Sequence, residues 1–428
     1  MSATPTVAIR PSAAREGRSY TSLLRDGKFA RVIAAYGISE VGDGITIVAL
    51  PLLAYGLTGS ASTTALVFAA GASPRLLFGL WAGVLADRMS RRLLVVGSAL
   101  LRALLLGLVP LVPELPVILA VAFLTQTLGV FEIPATEAAL PALAGERYQQ
   151  LAALRSALRQ LSTSIGPALG GILVGLVGAS RAVLFDAATF VIAAALIASV
   201  REFDRDGAGR RASARARRAL TDLIAGLSYV RHNTIALGLT LYWTVGVLVL
   251  PLSLVAAIPY ITSDLGRSAR AYGFAVSFFA VGAAVGVLVA GKLSYRQHRV
   301  RWLLASGVGY GLAGLGLGLG PSYVVFCLLW LAWGLLYGPE EVLGAVLFAQ
   351  ATTDELRGRA YSVLYTAMGG ATLLGYLLAG PLIDRFGAPP MMALAGAVFI
   401  VAALVAFGLS PLARAIRDQG SESVGSAR

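Results

Sequence analysis

Charge is scarce in this chain: 13% of its 428 residues are Asp, Glu, Lys or Arg, against 57% hydrophobic, where a soluble domain is roughly a quarter charged. A soluble globular fold could not hide that much apolar surface and is excluded. Cysteine is nearly absent, and the single Cys327 sits inside an apolar run, which rules out a disulfide framework and a thiolate metal cluster. The only histidines, His232 and His298, fall between apolar segments with no acid or cysteine spaced to share a metal. No Gly-x-x-x-x-Gly-Lys-Ser/Thr run occurs, so ATP hydrolysis on a phosphate loop is excluded. Gly309-Tyr310-Gly311-Leu312-Ala313-Gly314 has dinucleotide-type spacing, but it lies within an apolar segment and follows no strand, so it reads as helix packing. Polar/apolar alternation is missing from stretches such as Val183 to Val200 and Met391 to Leu409, which excludes a membrane β-barrel. Neither an enzyme nor a cofactor is expected.

What the chain does have is long apolar runs and a mean hydropathy of +0.77. A spanning helix needs about 20 apolar residues. Segments of that length occur at Ala30–Leu57, Thr63–Ala86, Leu93–Val112, Leu115–Leu140, Leu151–Val177 and Ala182–Val200. A second group follows at Thr234–Ile261, Tyr272–Lys292, Trp302–Leu319, Tyr323–Phe348, Tyr361–Ile383 and Pro390–Leu409. The expected fold is therefore an all-α integral membrane protein of about twelve transmembrane helices in two six-helix bundles, 29–200 and 234–410. A tail at 1–28, a linker at 201–233 and a tail at 411–428 complete the expected organisation.

Net charge is +13. In a soluble protein that would point to nucleic acid, but here the arginines sit in loops, where positive-inside topology accounts for them. Arg88, Arg91, Arg92, Arg147, Arg155, Lys292, Arg296, Arg299, Arg301, Arg357, Arg359, Arg414 and Arg417 fall on the side of the N-terminal tail. The opposite loops carry only Arg181, Arg267, Arg270 and Arg385. Both termini are expected in the cytoplasm of a bacterial cell, with the chain crossing its cytoplasmic membrane many times. No cleavable leader is expected, since 1–28 is polar and holds Arg10, Arg15, Arg18 and Arg25. In the linker, Leu220, Leu223, Ile224, Leu227 and Val230 recur at helical spacing, which predicts an amphipathic helix on the inner leaflet. A monomer contacting lipid, with no nucleic-acid partner, is the expected assembly.

The halves repeat. One constant offset carries Gly83, Leu85, Arg88 and Arg91 onto Gly291, Leu293, Arg296 and Arg299, and internal repeats of this kind mark secondary transporters. The run Gly83-Val84-Leu85-Ala86-Asp87-Arg88-Met89-Ser90-Arg91-Arg92 resembles the signature loop of the major facilitator superfamily. That resemblance implies a cytoplasmic gate in which Asp87 latches to the start of the eleventh helix. Tyr295 replaces the acid in the second copy, so the latch is expected to be one-sided. In the fifth segment Gly166-Pro167-Ala168-Leu169-Gly170-Gly171 is similar to the antiporter motif of the drug:proton exporters. There Pro167 kinks the helix, while Gly166/Gly170 and Gly171/Gly175 offer flat faces to other helices. The fourth segment carries Gln126 and Gly129 where drug exporters often have arginine. Together with Gly42-Asp43, the run Leu50-Pro51-Leu52-Leu53 and Glu355-Leu356-Arg357-Gly358-Arg359, the chain most resembles the macrolide-efflux and enterobactin-exporter branch.

Charges inside the bilayer are costly and persist mainly in pathways or pairs. Asp43, Arg75 and Arg102 fall near the middle of the first three segments. Burial and a neighbouring arginine act oppositely on a carboxyl, the balance that proton exchange needs. A static Asp43–Arg75 or Asp43–Arg102 pair is the alternative. Asp43, Glu132, Glu340 and Glu341 are the proton-coupling candidates, Glu137 lies near them, and Arg75 and Arg102 are the charge partners. Tyr36, Tyr242, Trp243, Trp330, Trp333 and Tyr337 are the candidate cavity side chains, suited to stacking an amphiphile. The expected function is export of a small amphiphilic molecule, a drug, antibiotic or siderophore-like metabolite, by proton antiport. An importer of a small nutrient on the same fold is the alternative, and a sensor using the 201–218 stretch is a third.

Overall fold

The computed structural model describes residues 25–86, 89–200, 212–292, 299–409, 412 and 414. Asp87, Arg88, most of both tails and the first part of the linker lie outside these residues.

Six helices precede the linker helix: α1 (Gly27–Thr58), α2 (Ala61–Ala86), α3 (Arg91–Leu108), α4 (Leu115–Ala144), α5 (Tyr148–Val177) and α6 (Ala179–Ala198). The linker helix is α7 (Ala212–His232). Six more follow: α8 (Thr234–Pro259), α9 (Ala269–Lys292), α10 (Arg299–Gly318), α11 (Tyr323–Ala351), α12 (Asp354–Phe386) and α13 (Ala388–Ala403). No strand occurs among the described residues. Eight of these helices are long and apolar enough to cross a membrane by length and composition alone. The remaining ones carry charge within them, including Arg102 in α3 and Arg155 and Arg159 in α5, which the fold has to absorb internally.

Local chemistry sets the helix ends. Asp26 caps α1 by accepting from the Lys28 amide at 3.3 Å, and Ser90 caps α3 by accepting from the Leu93 amide at 3.1 Å. The repeat shows in the backbone: Gly59 and Gly266 have φ of 66° and 59°, while Gly178 and Gly387 both have φ of 85°. Each pair stands at about the offset that separates Gly83 from Gly291. A side chain at these positive-φ turns would be strained, so glycine ends one helix and starts the next.

Within the first half α1 packs on α5 and α6, α2 on α4, and α3 on α4 and α6. In the second half α9 packs on α11, α10 on α11 and α13, and α8 on α12 and α13. The halves meet where α2 lies along α12 and α5 along α9. The linker helix is clamped to the second half. Arg359 pairs with Asp222 at 2.9 Å, and Tyr229 Oη and Asn233 Nδ2 each donate to the Ala351 carbonyl at 2.8 Å. This divides the apolar stripe expected on one face. Val230 is buried in the second half, whereas Ile224 and Leu227 are 62% and 57% exposed.

Candidate transport site

A cavity of about 430 Å³ opens among α1, α2, α3, α4, α5, α6 and α12. Its polar wall is Glu40, Asp43, Gln126, Arg159 and Asp186, and its rings are Phe68, Phe190 and Tyr376.

Asp186 of α6 is completely buried. Its carboxylate accepts from Thr46 Oγ1 of α1 and, at 3.0 Å, from Thr189 Oγ1. That reach exists because α1 has glycine at position 42: a Cβ there would lie 2.2 Å from Asp186 Oδ1. The next residue, Asp43, faces the cavity. Arg102 enters from α3 with 7% exposure. Its Nε donates to the Thr125 carbonyl at 2.9 Å, its Nη1 is 3.7 Å from Glu132 Oε2, and its guanidinium lies 4.9 Å from the Phe190 ring centre. Gly129 of α4 leaves the notch that holds it, since a Cβ there would fall 1.9 Å from Nη2. The guanidinium that drug exporters often place on their fourth helix is here supplied to the fourth helix by the third.

Arg102 and Arg159 are the cations whose charge acts on Asp43, and Asp43 and Arg102 act on Asp186. Four carboxyl groups, Glu40, Asp43, Glu132 and Asp186, thus lie in the field of three guanidinium groups, Arg102, Arg155 and Arg159. A low-dielectric interior penalises an uncompensated carboxylate.

The structure brings Asp43, Arg102 and Glu132 into one array. It does not bring in Arg75, which is exposed on α2 and is not among the cations around Asp43; Arg102 acts on Asp43 by its charge, while the ion pair it forms is with Glu132. Glu137 pairs with Arg155 instead. Glu340 is buried at 6% exposure in the second half, facing Tyr242. Glu341 is exposed and accepts from Tyr337 Oη at 3.0 Å. Neither lines the cavity.

The six aromatic candidates lie elsewhere. Trp330 and Trp333 are 1% exposed and pack with Phe279, Phe326 and Tyr310 in a core of edge-on and tilted rings. Tyr242 meets Phe407 at 4.8 Å, and Trp243 meets Phe348 at 6.4 Å. Tyr337 packs near Phe279 at 6.2 Å. Tyr36 lies under the Arg155 guanidinium at 4.7 Å. Glycines leave room for two of these rings, Gly307 of α10 facing Tyr242 and Gly344 of α11 facing Trp243. Glu40, Arg159, Asp186, Phe68, Phe190 and Tyr376 are the lining residues that sequence reasoning passed over. Asp186 carried a readable signal, being a lone acid in the sixth apolar run, as did Glu40, one helical turn ahead of Asp43.

The two motifs separate in space. Gly83 lies in α2, and beyond it Arg91 Nη1 donates to the Ala138 carbonyl of α4 at 3.0 Å while Arg92 bonds the Ala198 carbonyl of α6. These arginines tie the start of α3 to the last turns of two neighbours. On α5 the glycines face two partners. A Cβ at Gly166 would lie 2.8 Å from Gly44 Cα and one at Gly170 2.9 Å from Ile45 Cα, both on α1. A Cβ at Gly171 would lie 2.5 Å from Gly273 Cα of α9, across the boundary between halves. Pro167 lines the cavity between them.

The halves are locked together at the face opposite the start of α1. Asp384 of α12 accepts from Ser60 Oγ at 2.7 Å and from the Ala61 and Ser62 amides at 2.7 and 2.9 Å, so it caps the N-terminus of α2. Phe68 and Tyr376 stack at 5.2 Å with 9° between their planes. Tyr55 Oη and Ser263 Oγ are 2.7 Å apart, and Arg270 Nη2 donates to the Gly175 carbonyl at 2.7 Å.

Two repeated helical halves around a polar cavity, bonded to each other at one face, define a membrane transporter of the major facilitator fold and not an enzyme. The chain belongs to the transmembrane secretion effector family, whose model matches residues 18–423. It is 30% identical over 373 residues to the multidrug efflux pump Tap of Mycobacterium tuberculosis, covering 84% of this chain and 86% of that one. It is 26% identical over 388 residues to macrolide efflux protein A of Streptococcus pyogenes, covering 88% and 95%. Among solved structures, a bacterial homologue of the human lysosomal transporter Spinster, inward-facing and unoccupied, matches with a TM-score of 0.72 at 14% identity, covering 92% of this chain and 98% of that chain. The nucleoside transporter NupG matches at 0.69 and 12%, covering 88% and 97%.

Proposed function

We propose that this drug-efflux relative exports a small amphiphilic molecule across the bacterial cytoplasmic membrane by proton antiport. Both termini lie in the cytoplasm, as the arginine distribution favours, and lipid is the protein's main partner. The observation that carries the coupling is the excess of acid in the cavity wall, where Glu40, Asp43 and Asp186 stand with Arg159. Cargo enters from the cytoplasmic face and rests against Phe68, Phe190 and Tyr376. Protons arriving from outside neutralise Asp43 and Asp186, which lowers the cost of closing the site. The halves 29–200 and 234–410 then rock about it to alternate access. The names of the relatives support export over import. The test is accumulation of ethidium in cells expressing the chain, with and without a proton uncoupler. Export is expected to collapse with the uncoupler, and Asp43→Asn to abolish coupled export at normal expression. Export that ignores the uncoupler overturns the mechanism, and unchanged coupling in Asp43→Asn overturns the assignment.

A further inference from the structure

Behind the cargo cavity lies a second, much smaller void of about 20 Å³, lined by Tyr36, Ser39, Glu132 and Phe190 among alanine and valine side chains. A space of that size holds one water where polar groups are at hand. Glu132 Oε2 is buried and has no hydrogen-bond partner, and Arg102 Nη1 stands 3.7 Å from it, too far to bond. Phe190 lines both spaces, and the Arg102 guanidinium stands over its ring at 4.9 Å from the centre. The ring and the guanidinium therefore form a partition. On one side are Asp43, Asp186 and the cargo cavity; on the other are Glu132 and the water-sized void.

Tyr36 and Ser39 precede Asp43 on α1, and Glu132 is followed on α4 by Glu137, which is half exposed and paired with Arg155. The void thus lies between the central acids and the face at which α1 begins. The charged groups that face Glu132 are Arg102 from α3, Asp43 and Glu40 from α1, and Arg155 from α5.

We infer that the first half contains a proton exit path distinct from the cargo cavity, with Glu132 as its internal acceptor, a water in the small void as its next carrier, and Phe190 with Arg102 as its barrier. The inference rests on the proton-antiport reading above. In each cycle a cavity-side carboxyl gives up one proton, Glu132 takes it, and the water passes it to the cytoplasm, so nothing but the proton changes hands. Arg102 keeps its charge throughout and faces the Glu132 carboxylate from 3.7 Å. Separate routes allow a bulky cargo and a proton to cross in opposite senses without meeting.

The test uses proteoliposomes holding the full chain, with ethidium as cargo and an internal pH dye. Glu132→Gln is expected to lower pH-gradient-driven ethidium transport about tenfold or more and to flatten its pH profile. Ser39→Leu fills the void while leaving each acid in place, and is expected to slow driven transport likewise while ethidium binding matches the parent. Phe190→Ala is expected to let protons leak in the absence of ethidium. If Asp43→Asn abolishes driven transport while Glu132→Gln and Ser39→Leu keep the parental rate and profile, antiport stands and the separate path is overturned. If Asp43→Asn also keeps driven transport, the antiport reading fails and takes this inference with it.

Discussion

Removing the carboxylate of Asp384 should open the face that this structure holds shut. The carboxylate accepts three bonds, from Ser60 Oγ and from the Ala61 and Ser62 amides, so it serves as the cap of α2 although it belongs to α12. Loss of a helix cap costs about 0.5–2 kcal/mol, and a negative charge at a helix N-terminus adds about 0.3–1 kcal/mol. Those contacts exist only while α2 and α12 lie together, so the loss falls wholly on the closed state. Asp384→Ala should therefore raise the population open on this face by about 5–30-fold, the factor that about 1–2 kcal/mol represents. Asp384→Asn should fall in between, since asparagine caps nearly as well as aspartate but lacks the charge. The chain suits the measurement because its single cysteine, Cys327, is buried at 4% exposure. A cysteine placed at the cavity residue Ala72 reports opening through its labelling rate with a membrane-impermeant thiol reagent applied outside intact cells. The parent labels slowly and Asp384→Ala quickly. Equal rates in the two would refute the latch, and a faster rate in Asp384→Asn than in Asp384→Ala would refute the argument from charge and capping.

Gly129→Ala should abolish export, because the new Cβ would stand 1.9 Å from Arg102 Nη2 and expel the guanidinium from its place beside Glu132; normal export in that variant would remove Arg102 from the site. Trp330→Ala should lower the thermal unfolding temperature of the detergent-solubilised protein, since truncating a buried aromatic costs about 3–5 kcal/mol, and should leave the range of exported dyes unchanged. Tyr376→Ala should do the reverse, altering which dyes are exported while the unfolding temperature moves little. Dye profiles changed by Trp330→Ala and not by Tyr376→Ala would return the cargo site to the second half.

The fold was legible because the bilayer restricts the choices. Apolar runs long enough to span, arginines grouped on alternate loops and a repeated Gly-x-Leu-x-x-Arg-x-x-Arg pattern leave few architectures open. The site was legible only in part. Asp43 and Glu132 stand out as acids in apolar runs, and Asp186 would have stood out on the same criterion. Facing was the hidden variable. α11 has aromatic side chains at 330, 333 and 337, a spacing that serves a cavity wall or a packed core equally well. What decides is where the neighbouring helices carry glycine. α10 offers Gly307, Gly311 and Gly314 to Tyr242 and α13, so the second half closes tightly around its rings. The first half spends its glycines at 42 and 129 on making room for Asp186 and Arg102. Single-sequence periodicity sees apolar positions and not the depth of the notch opposite them.

That division assigns α5 a role which its motif alone does not reveal. Its glycines 166 and 170 touch Gly44 and Ile45 of α1, next to Asp43, while Gly171 meets Gly273 of α9 in the other half. The same helix therefore bears on the acid site with one face and on the closed boundary with the other. A shift of α1 that follows proton uptake at Asp43 must displace α5, because backbones this close have no side chains to absorb the movement. Gly171→Val separates these two contacts: a Cβ at 171 would already lie 2.5 Å from Gly273 Cα, so the boundary has to part, whereas the α1 face is untouched. The expected result is rapid outside labelling of the Ala72→Cys reporter at every external pH, with ethidium export lost. In the parent background the same labelling should fall as the medium is acidified, since protons reaching Asp43 and Asp186 from outside lower the cost of closing that face. Labelling of Gly171→Val that still follows external pH as the parent does would mean that α5 does not carry the signal from Asp43 to the boundary.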